Sequence, residues 1–384
     1  MASLYQAQGH YQKATPLYLQ ALELNKKLLG NDHPYVATGL SNLAALYETQ
    51  GRYKESESLY AQALELTKRL LNDECSDVAT KLYGLASVVT KLNNQAYLYQ
   101  AQGRYSEAEP LYVEALELTK RILGENHPDV TAILNNLGDL YEAQGRYHKA
   151  EKFLTQALEL TKQLLGDDHP NVATSLESLA NLYESQGRYE KAEPLYQKAL
   201  ELRQRLLGEN HPEVAQILNN LAYLYYSQKR YREAEPLYRQ AIELNERLLG
   251  NNHPNLAFGL NNLGLLYYAE GHHAEAEPLF LQAIELRKRL LGDDHPDLAA
   301  SLNNLAMLYK AGRRYSDAEP LLVQALEICQ RRLGASHPNT VEFCKNLAML
   351  RHDILNSTVE NLSKSKQKTK KSASKKKSKG FGKG

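Results

Sequence analysis

The stretch Pro212–Gly250, PEVAQILNNLAYLYYSQKRYREAEPLYRQAIELNERLLG, decides the fold. In its first half Val214, Leu218, Leu221, Ala222 and Tyr225 recur at i, i+4, i+7, i+8 and i+11, one face of an α-helix. Pro212 fits the first turn of that helix, where a missing N–H costs nothing. Glu213 sits where the helix dipole favours an acid. Lys229-Arg230 then makes a tight turn. In the second half Tyr231, Ala234, Leu237, Tyr238, Ala241, Ile242 and Leu248 share a face of a second helix, and Gly250 closes it. Pro236, about six residues into this helix B, predicts a mild kink or a late start. Two antiparallel helices of this length cannot bury both faces alone, so each pair must stack on another. Ala222 and Ala241 are small enough to let helices approach closely, with leucines and tyrosines filling the gaps.

Copies of the unit run along the chain. The tyrosine that opens helix B falls at Tyr11, Tyr53, Tyr105, Tyr147, Tyr189, Tyr231 and Tyr315, with His273 in the vacant place. The spacing is 42 residues, except for one step of 52 between Tyr53 and Tyr105. A His-Pro pair opens helix A at His33, His127, His169, His211, His253, His295 and His337. These prolines and a helix-B slot (Pro16, Pro110, Pro194, Pro236, Pro278, Pro320) account for all 13. Around 72–102 the pattern is irregular: Asp73-Glu74-Cys75-Ser76 replaces the usual turn, and two helix-A patterns follow in succession. Ten extra residues are not a whole number of turns. Either one helix A is overlong and kinked, or two repeats have fused; a stacking defect is expected here.

The block L-A-x-L-Y-x-x-Q-G-R-Y-x-x-A-x-x-L-Y-x-x-A-L at Leu179–Leu200 resembles the tetratricopeptide signature. The 42-residue spacing, with L-G-x-x-H-P-D-V-A-x-x-L-N-N-L-A between units, is similar to the repeat domain of kinesin light chains. The resemblance covers roughly residues 1–350. It implies an all-α, right-handed superhelical solenoid of antiparallel helix pairs, about eight repeats over 1–356 with the first truncated, whose helices A line a concave groove that binds peptide segments. It also implies an alternative, a cargo-adaptor subunit of a kinesin motor with a kinesin heavy chain as partner; a sensor fragment of a larger signalling protein is a further alternative, expected because the sequence opens mid-repeat. Kinesin light chains carry a heptad coiled coil ahead of their repeats. Here the sequence opens within a helix A, so a fragment is one expectation.

A second stripe on helix A, Gln216, Asn219, Tyr223 and Tyr226, stands at i, i+3, i+7 and i+10. Its asparagine recurs as Asn93, Asn135, Asn261 and Asn303, and a second asparagine recurs at Asn42, Asn94, Asn136, Asn220, Asn262, Asn304 and Asn346. An amide donates and accepts, so such a ladder can pair with an extended peptide backbone. The other reading is bonding between neighbouring repeats; one slot could do each. One turn later the residue varies, through Asp139, Asn181, Tyr223, Leu265 and Met307, as selectivity for side chains requires. Tyr268 follows Tyr226 in the next column. Lysines and arginines that would clamp an acidic peptide are missing from Glu142, Glu184, Tyr226 and Tyr268, so a neutral, aromatic or basic segment is expected.

No catalytic motif rises above the repeat: there is no phosphate loop and no G-x-S-x-G. The His-Pro histidines stand alone at 42-residue intervals and read as turn residues, not metal ligands. Neither cofactor nor metal is expected. Three cysteines without ligand spacing read as free thiols of a reducing compartment, and no apolar run is long enough to span a membrane. Cytoplasm is expected, with cytoskeletal association for a motor subunit. The net charge of +1 hides an asymmetry, because ten lysines and no acid fall between Ser363 and Gly384. Residues 357–384 are expected to be a disordered tail that shields the acidic repeats or meets nucleic acid or an anionic membrane by charge.

Overall fold

The computed structural model describes the chain except residues 72–77 and 379–384, and side chains except those of 72–83 and 359–384. The irregular turn Asp73–Ser76 lies outside the described residues. Seventeen helices and no strand are found among the described residues. They form eight antiparallel pairs closed by a last helix, an all-α tetratricopeptide-type solenoid. A typical pair is α11 (Pro212–Ser227) and α12 (Tyr231–Leu249). Helix B therefore starts five residues ahead of Pro236. The late start does not occur: the helix is already formed when it meets the ring, and only one internal N–H is lost.

Local chemistry sets every boundary. Each His-Pro histidine is the N-cap of its helix A, and its Nδ1 accepts from the backbone N–H two residues on, at 3.2 Å in His211 to Glu213. The proline occupies the first helical position. The turn into helix B needs one residue at positive φ, supplied by Gly145 and Gly187 but also by Lys229 at 60° and Arg313 at 57°. Glycine is thus helpful but not required at an open turn.

In most units the core sets an aromatic residue of helix B against a small residue of helix A, with Leu154 and Leu322 in the aromatic slot of two units. Tyr60, Tyr112, Tyr196, Tyr238 and Phe280 are fully buried on helices B, and Ala180, Ala222 and Ala241 are too. A side chain at Gly264 would come within 2.8 Å of the Phe280 ring, so the small slot is a volume requirement. The irregular unit has an overlong helix A, α5 (Val78–Ala101), of 24 residues, where α3, α7, α9, α11, α13 and α15 have 16 or 17. The closing helix, α17 (Pro338–Ser378), continues as backbone helix into the lysine-rich segment.

A clamp joins units on their outer side. The helix-B glutamate of one unit accepts the tyrosine hydroxyl and the turn arginine of the next. Glu151 accepts Tyr183 Oη at 2.9 Å and Arg188 Nη1 at 3.0 Å. Glu109 does the same with Tyr141 and Arg146, and Glu193 with Tyr225 and Arg230. The arginine also lies over that tyrosine's ring, 4.4 Å from the Tyr183 centroid. Both Arg188 and Glu151 are about a third exposed, so one pair is worth ~1 kcal/mol or less. What the clamp fixes, by repetition, is the rotation from unit to unit.

That rotation brings the solenoid round on itself. The turn glycines Gly9, Gly51 and Gly103 of units one to three lie against the His-Pro loops at His253, His295 and His337. The wall made by the helices therefore turns through a full circle in about six units.

Candidate concave groove

Successive helices A approach one another, as α3 does α5, α7 does α9 and α11 does α13. Among the described residues no successive helices B approach to the same degree. Helices A therefore form the inner wall, and side chains on their free face form the groove.

Three columns run along that wall. One is the column Asp139, Asn181, Tyr223, Leu265, Met307. Asn181 and Tyr223 are exposed, Tyr223 at 45%; Asp139, Leu265 and Met307 are half-buried. The next is Glu48, Glu142, Glu184, Tyr226, Tyr268 and Lys310. A third contains Gln216, which is exposed, and Phe258, exposed at 50%. In units four to seven these columns border one cleft of about 700 Å³, lined by Asp139, Glu142, Asn181, Glu184, Tyr223 and Phe258. Tyr223 and Tyr226 lie 5.8 Å apart between ring centres, and Tyr226 continues to Tyr231 at 6.0 Å. Carboxylates (Asp139, Glu142, Glu184) and aromatic rings (Tyr196, Tyr223, Phe258) thus share the cleft with asparagines and serines. Phe258 was not legible as a site residue because its slot holds the polar Gln216 one unit earlier.

The asparagines divide differently. Asn219, Asn261 and Asn303 are buried, at 4%, 6% and 4% exposed. Their Oδ1 atoms accept the Nδ2 of the second asparagine one unit on: Asn262 to Asn219 at 3.4 Å, Asn304 to Asn261 at 3.1 Å, Asn346 to Asn303 at 2.9 Å. Asn136 bonds Asn93 in the same way at 2.8 Å, while Asn135 donates to Ser175. The ladder binds unit to unit along the groove floor. Asn219, Asn220 and Asn262 also border the cleft, so the ladder is part of its floor.

One rung is charged. Glu177 stands in the asparagine slot and is buried together with Arg203, 2.9 Å away, which also reaches Glu213 at 3.1 Å. Asn220 donates to Glu177 at 2.7 Å, so the rung is still made. The sequence signal was present, because glutamate replaces asparagine in one unit only, and arginine replaces threonine at the facing helix-B slot of the same unit.

Among the described residues no cation pairs with Glu48, Asp139, Glu142 or Glu184. Burial pushes Asp139 and Glu184 up to about 7, with the hydroxyls of Ser178 and of Tyr196 and Ser227 pulling the other way. Burial also raises Glu142, and pushes Glu48 up to about 7. On the outer wall the reverse holds for Glu109 and Glu151, which the arginine and tyrosine of the clamp keep below the usual carboxylate range despite burial. The groove thus holds half-buried acids whose charged form is under-stabilised, beside exposed aromatic faces. It can receive a cation and an apolar group side by side.

Among the described residues no group of three or more His, Cys, Asp and Glu could hold a metal ion, and no helix is long and apolar enough to cross a membrane.

Comparison with known proteins agrees with the geometry. The family model of the tetratricopeptide repeat matches residues 1–69, 87–163, 129–205, 178–247, 213–289, 257–331 and 297–355. No curated protein matches the chain. Among solved structures, TPR-like repeats attributed to a kinesin light chain of Podosopora anserina are 26% identical over 53% of this chain and 97% of that one, with a TM-score of 0.45. BtubC (BKLC) from P. vanneervenii is 25% identical over 74% and 94%, with a TM-score of 0.39. A Rap protein solved with competence and sporulation factor is 16% identical over 84% and 99%, with a TM-score of 0.50, a likeness of fold.

Proposed function

The chain belongs to the tetratricopeptide repeat family, and from that premise we propose that it is a protein-interaction scaffold whose concave groove captures an extended partner segment rich in lysine or arginine and in aromatic or aliphatic residues. The observation that carries this reading is the pairing, in one cleft, of carboxylates without cations and exposed tyrosine and phenylalanine faces. Asp139, Glu142 and Glu184 would receive the basic side chains. Tyr223, Tyr226 and Phe258 would receive the apolar ones, with Leu265, Tyr268 and Met307 extending that end and the Asn181 amide placed to pair with the segment's polar groups.

The reading has a pH signature. A cationic ligand favours the ionised carboxylate, so binding expels the protons that Asp139 and Glu184 hold near neutrality. Affinity is full above about pH 7 and falls as the pH drops through the raised values of the free protein. The loss expected between pH 8 and pH 6 is ~10–100-fold, one or two protons at up to tenfold per pH unit each. Titration calorimetry with a 15-residue peptide of alternating lysine and tyrosine, in two buffers of different ionisation heat, reads both affinity and proton release. A peptide copying Lys364–Lys383 serves as a second titrant, basic but almost without aromatic residues. Tighter binding at pH 6 than at pH 8, or no proton exchange, would contradict the groove assignment.

A further inference from the structure

Three histidines do more than start their own helices. His253 Nε2 lies 3.3 Å from the carbonyl oxygen of Ala7. The rings of His295 and His337 stand in the same place, against the turns at Gly51 and Gly103 that follow Thr49 and Ala101. Ala7, Thr49 and Ala101 are each the last residue of a helix A, α1 (Ala2–Ala7), α3 (Pro34–Thr49) and α5, where carbonyls have no partner within the helix. Each imidazole therefore caps the start of its own helix through Nδ1 and turns Nε2 toward the end of another helix about six units earlier. The fit is close. A side chain at Gly51 would stand 2.9 Å from the His295 ring, and one at Gly103 would stand 3.0 Å from the His337 ring. The corresponding turns at Gly145 and Gly187 face nothing within 4 Å.

We propose that these three imidazole contacts form a latch that closes one superhelical turn onto the next, and that acidification releases it. The bridging imidazole must be neutral, because its Nδ1 accepts from a backbone N–H while its Nε2 donates. A second proton on Nδ1 would face that N–H and break the cap. Burial lowers all three histidines below their ordinary value, opposed by the carbonyl bond. For His295, Asp297 also opposes the shift, while Arg287 and Arg332 reinforce it. The closed form thus binds fewer protons than the open one. Closure is complete above the ordinary histidine value and is lost as the pH falls below it.

Small-angle scattering of the whole chain tests this. The maximum dimension is expected to grow between pH 8 and pH 5.5 at constant helical circular dichroism. Asparagine keeps a helix N-cap but cannot bridge the two turns. The triple variant His253→Asn, His295→Asn, His337→Asn should therefore lose this pH dependence. A lysine is tolerated at this turn position where the turn is open, as Lys229 shows. Gly51→Lys with Gly103→Lys should therefore show the larger dimension already at pH 8, and Gly187→Lys should not. A wild type of constant dimension overturns the latch. So does a pH response that survives in the triple variant, or a closed Gly51→Lys/Gly103→Lys protein at pH 8.

Discussion

A chain carrying Glu142→Lys and Glu184→Lys is expected to lose capture of basic segments by about 100-fold or more, with its helical content unchanged. Both carboxylates are half-buried on the inner wall, border the same cleft and lack a cationic partner. A like charge placed opposite an incoming lysine costs several kcal/mol at such a site. The glutamine pair Glu142→Gln and Glu184→Gln separates charge from shape. It should bind more weakly by roughly tenfold and show a shallower pH dependence, because Glu184 no longer titrates and Asp139 alone remains. The measurement is the calorimetric titration with the lysine-tyrosine peptide. Equal affinity in wild type and lysine variant would remove the groove from the account.

Arg203→Ala is expected to give the largest loss of stability in the chain, about 3–5 kcal/mol, because it strands Glu177 as an uncompensated buried charge. Arg203 is 6% exposed and Glu177 is 8%. Burial already raises Glu177 against the pull of Arg203 and Asn220, so removing the arginine disfavours its charged form further. Glu177→Asn combined with Arg203→Thr introduces the pair that the two preceding units carry at these slots, Asn93 with Thr119 and Asn135 with Thr161. That double variant should be nearly as stable as wild type, since replacing both members of a buried pair is often neutral. Urea unfolding followed by circular dichroism distinguishes them: the single variant moves the midpoint far to the left and the double variant returns it. Contacts in a solenoid run only between neighbours, so the loss should appear first as local opening of units five and six.

The contrast between what could and could not be read from the residues follows the range of each interaction. Helix A, helix B and both caps were legible because their determinants lie within a few residues, Pro212 and Glu213 at one end, Lys229 and Gly250 at the others. The acidic character of the groove was legible too, since Glu142 and Glu184 share one slot. The partner of Asn219 was not. Asn262 stands 43 residues away, and only the inter-unit rotation decides whether the amides meet each other or a ligand. Phe258 was hidden by its polar counterpart Gln216. The latch was further out of reach: His295 and Thr49 meet only after the small rotations of about six units have summed to a full turn.

The central claim, a groove for basic and aromatic segments, is tested most directly by an unbiased selection. A random library of 15-residue peptides displayed on phage is panned on the immobilised chain at pH 7.5, with the Glu142→Lys/Glu184→Lys variant panned in parallel. The account predicts that wild type enriches sequences of net positive charge containing tyrosine, phenylalanine or leucine, and that the variant does not. Enrichment of acidic peptides by the wild type, or the same peptides from both proteins, would contradict it.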